Sequence, residues 1–286
     1  MRATRLRNTT KSFWNLWKAD AVDLVTRLTL VYLMWHDSGG TPSLRYAIVG
    51  LAGVGLVAGW HRNALFWSGL FVLQLLRLSM VWWLAANHSF LAAWWTLGLA
   101  TVMADREPTV AIRVLARRIV GLTFACALLW KVVLSDSFTD SAFLMSGLLI
   151  DARFDTLTAL FGVDAPLHAI NRAVFDVAAT TGMPGQIVPM VVPTSLSWLA
   201  RLGTVWTLFV ELAVAVTMLT RVESRVRHAC LISFCFGTYL VLPVVGFAWL
   251  LLLMGLAHTG PNDRRLRGMY VATALVLGLR ALIPVV

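Results

Sequence analysis

Residues 228–257 form one apolar run, HACLISFCFGTYLVLPVVGFAWLLLLMGLA. The run covers about 30 residues, whereas a single membrane-spanning helix needs about 20. Pro243 and Gly246 lie at its middle, where a break would give two half-helices that enter from one side of a membrane and return to it. We expect this re-entrant form, with a cavity covering the broken backbone near Pro243. The alternative is one long, kinked and tilted helix.

The rest of the chain has the same apolar character. Its 286 residues are 59% hydrophobic and 13% charged, with a mean hydropathy of +0.76, whereas soluble domains are about 25% charged. This composition rules out a soluble globular domain, a disordered chain and a nucleic-acid-binding domain, although the net charge is +10. The three cysteines, Cys126, Cys230 and Cys235, lie inside apolar runs, so neither a disulfide framework nor a metal site is indicated.

The apolar runs predict an all-α fold, a polytopic transmembrane helix bundle with about eight membrane segments. Residues 1–20 are expected to form a cytoplasmic basic amphipathic segment. Residues 21–286 then form a single transmembrane domain with an extracytoplasmic loop at about 135–195, made of short helices. The segments lie at about 21–36, 44–60, 64–86, 89–104, 114–134, 196–220, 228–257 and 269–286.

The distribution of charge predicts the orientation in the membrane. With a cytoplasmic N-terminus and a re-entrant late segment, 16 of the 24 basic residues lie on the cytoplasmic side, as the positive-inside rule requires. We therefore predict a multi-pass protein of the plasma (inner) membrane. The 16 residues are Arg2, Arg5, Arg7, Lys11, Lys18, Arg62, Arg106, Arg113, Arg117, Arg118, Arg221, Arg225, Arg227, Arg264, Arg265 and Arg267.

Ionisable side chains inside a membrane segment are rare and mark structural pairs or functional sites. We expect Glu211 to form a structural ion pair with Arg77 or Arg27. Lys131 differs, because the chain has 21 arginines and three lysines, and the other two lysines lie in the basic N-terminal segment. A desolvated lysine can lose its proton and act as a base, which arginine cannot. The alternative is a lysine that reaches the outer headgroups.

A second polar group, Asn87-His88-Ser89, joins two predicted segments on the same outer side. It could simply cap the following helix. Alternatively, His88 and Lys131 form a catalytic pair in which His88 polarises a substrate and Lys131 abstracts a proton. Asn87, Ser89 and Tyr239 are then candidates for substrate binding. No metal-ligand spacing is present in the sequence.

Three stretches of the chain resemble the HTTM family, the membrane domain shared with vitamin K-dependent γ-carboxylase. The first is Asn87 to Leu91, followed by Ala104-Asp105. The second is Cys126 to Lys131, followed by Asp136, Phe138 and Asp140. The third runs from Glu211 to Leu253 and includes the broken late segment. The resemblance implies that Lys131 is the base and that His88 supports the same site. It also implies a quinone or a reduced vitamin K-like quinol as cofactor.

The chain also departs from the carboxylase. Phe236 to Tyr239 lie where its late segment carries a histidine, and Lys131 replaces a lysine pair. The chain ends near the last span, so the resemblance is to compact members without the lumenal domain, such as those similar to the maturation factor of a peptide toxin. Recognition of a propeptide does not carry over.

Two functions follow as hypotheses. The first is a carboxylase-like enzyme that modifies a secreted peptide or a small molecule at the outer face and is linked to quinol oxidation. The second is a non-enzymatic accessory protein for maturation, export or immunity of a secreted peptide. A transporter is a third possibility, but no inverted repeat supports it. The lipid bilayer is an expected partner and nucleic acid is not, while the oligomeric state is left open.

Overall fold

The computed structural model describes residues 20–35, 42–82, 85–181, 190–241, 244–260 and 263–282, and these ranges are all-helical. This confirms the predicted all-α class. The predicted N-terminal segment 1–20 lies outside the described residues apart from Asp20. The α-helices are α1 (Ala21–Trp35), α2 (Pro42–Val57), α3 (Ala64–Val81), α4 (Asn87–Ala104), α5 (Pro108–Leu129), α6 (Asp136–Thr139), α7 (Ala142–Ile150), α8 (Asp155–Ala159), α9 (Ala165–Thr181), α10 (Thr194–Leu219), α11 (Ser224–Val241), α12 (Val245–Ala257) and α13 (Arg264–Leu282).

The long helices α1–α5 and α10–α13 form one bundle. Each packs against the next one along the chain, and α5 packs against α10 across the intervening short helices. Short connections between packed helices make such neighbours antiparallel. Two of the described helices, Ala64–Val81 and Thr194–Leu219, are long and apolar enough to cross a membrane, and Pro42–Val57 and Val245–Ala257 are shorter apolar helices.

Helix α12 lies at the centre of the bundle. Its sequence is apolar on every face, and ten of its thirteen residues are buried. It packs against α1, α4, α5, α11 and α13. A helix that is hydrophobic all round needs neighbours on all sides, so the other long helices surround it.

The apolar run 228–257 is divided between α11 and α12, which end and begin at Val241 and Val245. The rings of His228 and His258 lie 5.1 Å apart, and Arg227 Nη1 lies 2.8 Å from His258 Nε2. The start of α11 and the end of α12 therefore meet at one end of the bundle, and the two helices form a hairpin. The alternative of one long helix is wrong, and Pro243 itself lies outside the described residues.

The same end of the bundle gathers the start of α1 and the connection between α2 and α3. Arg62 pairs with Asp23, with its Nε 2.6 Å from Oδ1, and Thr109 at the start of α5 hydrogen-bonds to Asp20. Because α13 begins where α12 ends, Arg264, Arg265 and Arg267 also come to this end. We call it the arginine-rich end.

The opposite end carries the short helices α6–α9, within the predicted loop 135–195. They share a small apolar core with the first turns of α10. Arg153 hydrogen-bonds to Asp151 and holds the pKa of that carboxyl below its usual range. The core residues are Leu148, Leu149, Phe154, Val163, Leu196 and Ala200.

The packing of the hairpin predicts the effect of a single methyl group. A Cβ at Gly255 of α12 would lie 2.3 Å from the ring of Tyr270 in α13, whose hydroxyl is 2.8 Å from His228 Nδ1. Gly255→Ala should therefore lower the free energy of unfolding by about 1–3 kcal/mol, measured by denaturant titration in mixed micelles. Gly237→Ala in α11 is the control, because no atom lies within 4 Å of its Cβ position. An equal loss in both variants would contradict the packing described here.

Candidate functional site

A largely buried ion pair on the side of the bundle away from the arginine-rich end joins Lys131 to Glu211. Lys131 Nζ donates a hydrogen bond to Glu211 Oε1, and the two side chains are 15% and 8% exposed. The ammonium group also lies 4.8 Å from the ring centre of Phe138 in α6, a cation–π distance. Lys131 is thus held between α10 and the short helices and does not extend outward as the headgroup alternative requires.

The backbone at Lys131 is unusual. Helix α5 ends at Leu129 and continues as a π-helical turn, Trp130–Leu134, before the chain enters α6. π-helical turns are rare, and they occur frequently at functional sites. The extra residue rotates the last turn relative to a regular α-helix, and Lys131 lies within it.

Glu211 has one oxygen engaged and one available. Its Oε2 is buried and has no hydrogen-bond partner within the part of the chain that the structure describes. A buried carboxylate oxygen without a partner is costly, and uptake of a proton would remove the negative charge of the carboxylate. Tyr239, also buried, lies within electrostatic range of Glu211 and packs against the rings of Phe234 and Phe247.

An apolar groove of about 670 Å³ runs between α5 and α10, and neither Lys131 nor Glu211 is among its lining residues. Leu128 and Val132 belong to one wall, and Leu208 and Leu212 belong to the other. Several lining side chains, including Leu129, Val133 and Phe209, are exposed on the outer surface of the bundle. The groove therefore opens sideways.

Asn87, His88 and Ser89 make no direct polar contact with Lys131 in the described chain. These residues begin α4, its N-cap is Ala86, and no side chain caps the helix. Asn87 is exposed and His88 is half-buried. In the described chain, the polar and ring contacts of Lys131 are to Glu211 and Phe138 and not to His88.

Ser89 belongs to a different cavity. It is buried and lines a small enclosed space of about 20 Å³ together with Tyr32, Gln74 and Arg77. This volume is enough for about one water molecule. Ser89 Oγ has no hydrogen-bond partner among the described residues, so a water there would satisfy it.

The expected ion pair of Glu211 with Arg77 or Arg27 is corrected by the structure. Helix α10 packs against α5, so Glu211 meets Lys131. Arg77 lies on α3 in the cavity beside α4, and Arg27 is exposed on α1. Sequence reasoning identified both partners of the actual pair but assigned them to different sites, because the register between α5 and α10 is not visible in either apolar run.

Comparisons of the chain with protein-family models, curated proteins and solved structures find no match. The resemblance to the HTTM family therefore rests on the short motifs quoted above. Among the described residues, no group of three or more His, Cys, Asp or Glu side chains is arranged to hold a metal ion.

The ion pair predicts a strong coupling between its two partners. Lys131→Met should lower the free energy of unfolding by about 3–5 kcal/mol, because it leaves the Glu211 carboxylate buried without its partner. The double variant Lys131→Met/Glu211→Leu should recover most of this loss, measured by denaturant titration in micelles.

Arg201→Met is the matched control for this cycle. Arg201 lies exposed on α10 over the ring of Trp198, at 5.6 Å, and its removal should change the free energy of unfolding by about 0.5 kcal/mol or less. The single variant Glu211→Leu completes the comparison. If the losses of Lys131→Met and Glu211→Leu simply add up in the double variant, the two residues are not coupled.

Proposed function

We propose that the chain is a multi-pass membrane protein of the plasma (inner) membrane, with its arginine-rich end in the cytoplasm. Large apolar side chains on the outer faces of the bundle support this proposal. On α10 alone, Leu202, Val205, Trp206, Phe209 and Leu212 are exposed, and so large an apolar face suits lipid better than water. The concentration of arginines at one end supports the orientation.

Within this bundle, we infer that Lys131 is the base of an HTTM-type, carboxylase-like enzyme. The observation that carries the inference is the Lys131–Glu211 pair on its π-helical turn. In the described chain this is the only lysine, and it lies where an arginine would serve equally well as a fixed charge. The chemistry that distinguishes lysine from arginine is the ability to lose a proton.

Glu211 provides a route to the neutral amine. In surroundings of low polarity both charges of an ion pair lose hydration, so the neutral pair of amine and carboxylic acid becomes competitive with the ionic one. Movement of one proton from Lys131 Nζ to Glu211 leaves the amine lone pair free. Lys131 can then accept a proton from an acidic C–H or N–H group of a substrate, which becomes the anion that reacts further.

The groove between α5 and α10 fits a lipid-soluble quinol as cofactor. Its lining is apolar, as an isoprenoid tail requires, and Lys131 and Glu211, which do not line it, belong to the same two stretches of chain. A quinol bound there would give up its electrons to an oxidant such as dioxygen, and that reaction would supply the driving force for forming the substrate anion. The residues that would hold it are Leu128, Val132, Leu208 and Leu212. His88 lies in the first turn of α4. It would assist Lys131 only if a bound substrate contacted both side chains.

The substrate is proposed to be a secreted peptide or a small molecule, reached from the extracytoplasmic side through α6–α9. An accessory role in maturation, export or immunity of such a peptide is the second candidate. It is favoured by the fact that the Lys131–Glu211 pair also suffices as a structural contact between α5 and α10.

The orientation predicts the outcome of reporter fusions. Alkaline phosphatase fused after Arg106 or Arg221 should be inactive, because both sites lie at the arginine-rich end. Fusions within α9 or after Asp140 should be active. Green fluorescent protein at the same sites should give the reverse pattern. Active phosphatase at both ends of the bundle would contradict a fixed membrane orientation.

The proposed base predicts a distinct response to two substitutions. In membranes supplied with a reduced quinol, labelled bicarbonate and peptide, quinol oxidation and label incorporation should fall about 10²–10⁴-fold in Lys131→Ala. Lys131→Arg should fall equally, because arginine keeps the charge but does not release the proton. Arg201→Lys on α10 is the control, with an unchanged rate expected. Full activity of Lys131→Arg would overturn the base role, and peptide retention without turnover in every variant would favour the accessory role.

A further inference from the structure

The arginine-rich end contains a second polar cluster that the proposed reaction does not use. Four arginines converge where α5, α11, α12 and α13 meet, and we call them the arginine cluster. Arg227 donates from Nη1 to His258 Nε2 at 2.8 Å and from Nη2 to the carbonyl of Val222. The members are Arg113, Arg117, Arg227 and Arg267.

These arginines repel one another. Arg117 lies within electrostatic range of both Arg227 and His258, and Arg113 lies within range of Arg267. Burial lowers the pKa of His258 to about 4, and the neighbouring His228 and Arg227 add to this effect while the backbone of Arg113 opposes it. The His258 ring is therefore neutral at pH 7 and accepts the hydrogen bond from Arg227.

The carboxylates nearby balance only part of this charge. Asp20 and Asp263 act on Arg267. However, Asp20 also contacts Arg62 and Thr109, and Asp263 accepts a hydrogen bond from the backbone of Gly260. Four guanidinium groups against two carboxylates leave a net charge of +2, before the exposed Arg264 and Arg265 are counted. The cluster thus has an excess of positive charge in a partly buried place.

The cluster also contains polar atoms without partners. Arg113 Nε and Arg227 Nε are buried N–H donors that reach no acceptor among the described residues, and His228 Nε2 is buried and unpaired as well. His228 is fully buried, and its other ring nitrogen is engaged by Tyr270. Leaving such a group buried without a partner is costly. Excess positive charge together with unpaired donors is the chemistry that an oxyanion satisfies.

We propose that the arginine cluster binds a phosphate-bearing anion at the end of the bundle predicted to be cytoplasmic. Arg113 and Arg227, both half-buried, carry the unpaired Nε–H donors, and Arg117 and Arg267 supply further charge. The guanidinium group matches phosphate through paired N–H donors. The phosphate belongs either to the headgroup of an anionic phospholipid or to a soluble phosphate compound, since basic pockets between membrane helices can bind lipid headgroups.

The test uses the full chain in nanodiscs and separates the two sources of phosphate. One arm compares discs of phosphatidylcholine with discs that also contain phosphatidylglycerol. The other adds inorganic phosphate, against chloride at equal ionic strength, to discs of phosphatidylcholine alone. The readouts are the shift in Tm by tryptophan fluorescence and, by native mass spectrometry, the lipid retained. Stabilisation in the first arm identifies a lipid, and stabilisation in the second identifies a soluble phosphate.

Matched variants assign the effect to the cluster. Arg113→Gln and Arg227→Gln should each weaken the apparent affinity about tenfold, as expected for the loss of one charged hydrogen bond. Arg118→Gln and Arg225→Gln are the controls on the same two helices, because both side chains are exposed, and they should retain the affinity. Arg227→Lys keeps the charge without the paired donors and should also weaken binding, which covers the case in which the glutamine variants do not fold.

Two results would overturn the proposal. One is a wild-type protein that neither phosphatidylglycerol nor inorganic phosphate stabilises. The other is an equal loss of affinity in Arg118→Gln and Arg225→Gln, which would show a diffuse attraction to surface charge rather than a site.

Discussion

The fold depends on the burial of α12, a helix with no polar face. Its leucines, from Leu250 to Leu253, point in every direction around the helix axis and are buried. Such a helix is stable only when neighbours surround it, and α1, α4, α5, α11 and α13 do so. The hairpin with α11 brings α12 into this central position, because only a few residues separate the end of α11 at Val241 from the start of α12 at Val245. Gly255 then lets α13 approach closely enough to place Tyr270 beside His228.

Much of this architecture was predictable from the sequence. The apolar runs located the long helices to within several residues, since helices that lack charge over about 20 residues stand out from their loops. The division of 228–257 was also predictable, because the length of the run and the arginines after it, Arg264 to Arg267, both require a return to the same end. The small core of α7, around Leu148 and Leu149, was not, because a short apolar run in a loop does not indicate what it packs against.

The candidate site was only half predictable. Lys131 is identified by chemistry, because it is the only lysine outside the basic N-terminal segment and the other basic residues there are arginines. Its partner Glu211 was visible as a buried charge, but the choice among Lys131, Arg77 and Arg27 depends on the relative positions of α5, α3 and α1. Hydrophobic periodicity shows which face of a helix is buried, but it does not show which turn of one helix lies beside which turn of another. The π-helical turn at Trp130–Leu134 has no sequence signature of comparable strength.

The two polar clusters lie at opposite ends of the bundle, and their chemistry differs for a physical reason. The pair of Lys131 and Glu211 can relieve the cost of burial by moving one proton, because both members change their charge state. The arginine cluster has no such route, since guanidinium keeps its proton at any physiological pH. An anion from outside the chain would balance its excess charge, which is the basis of the site proposed above. The pair of Lys131 and Glu211 is thus suited to proton transfer, and the arginine cluster is suited to binding an anion.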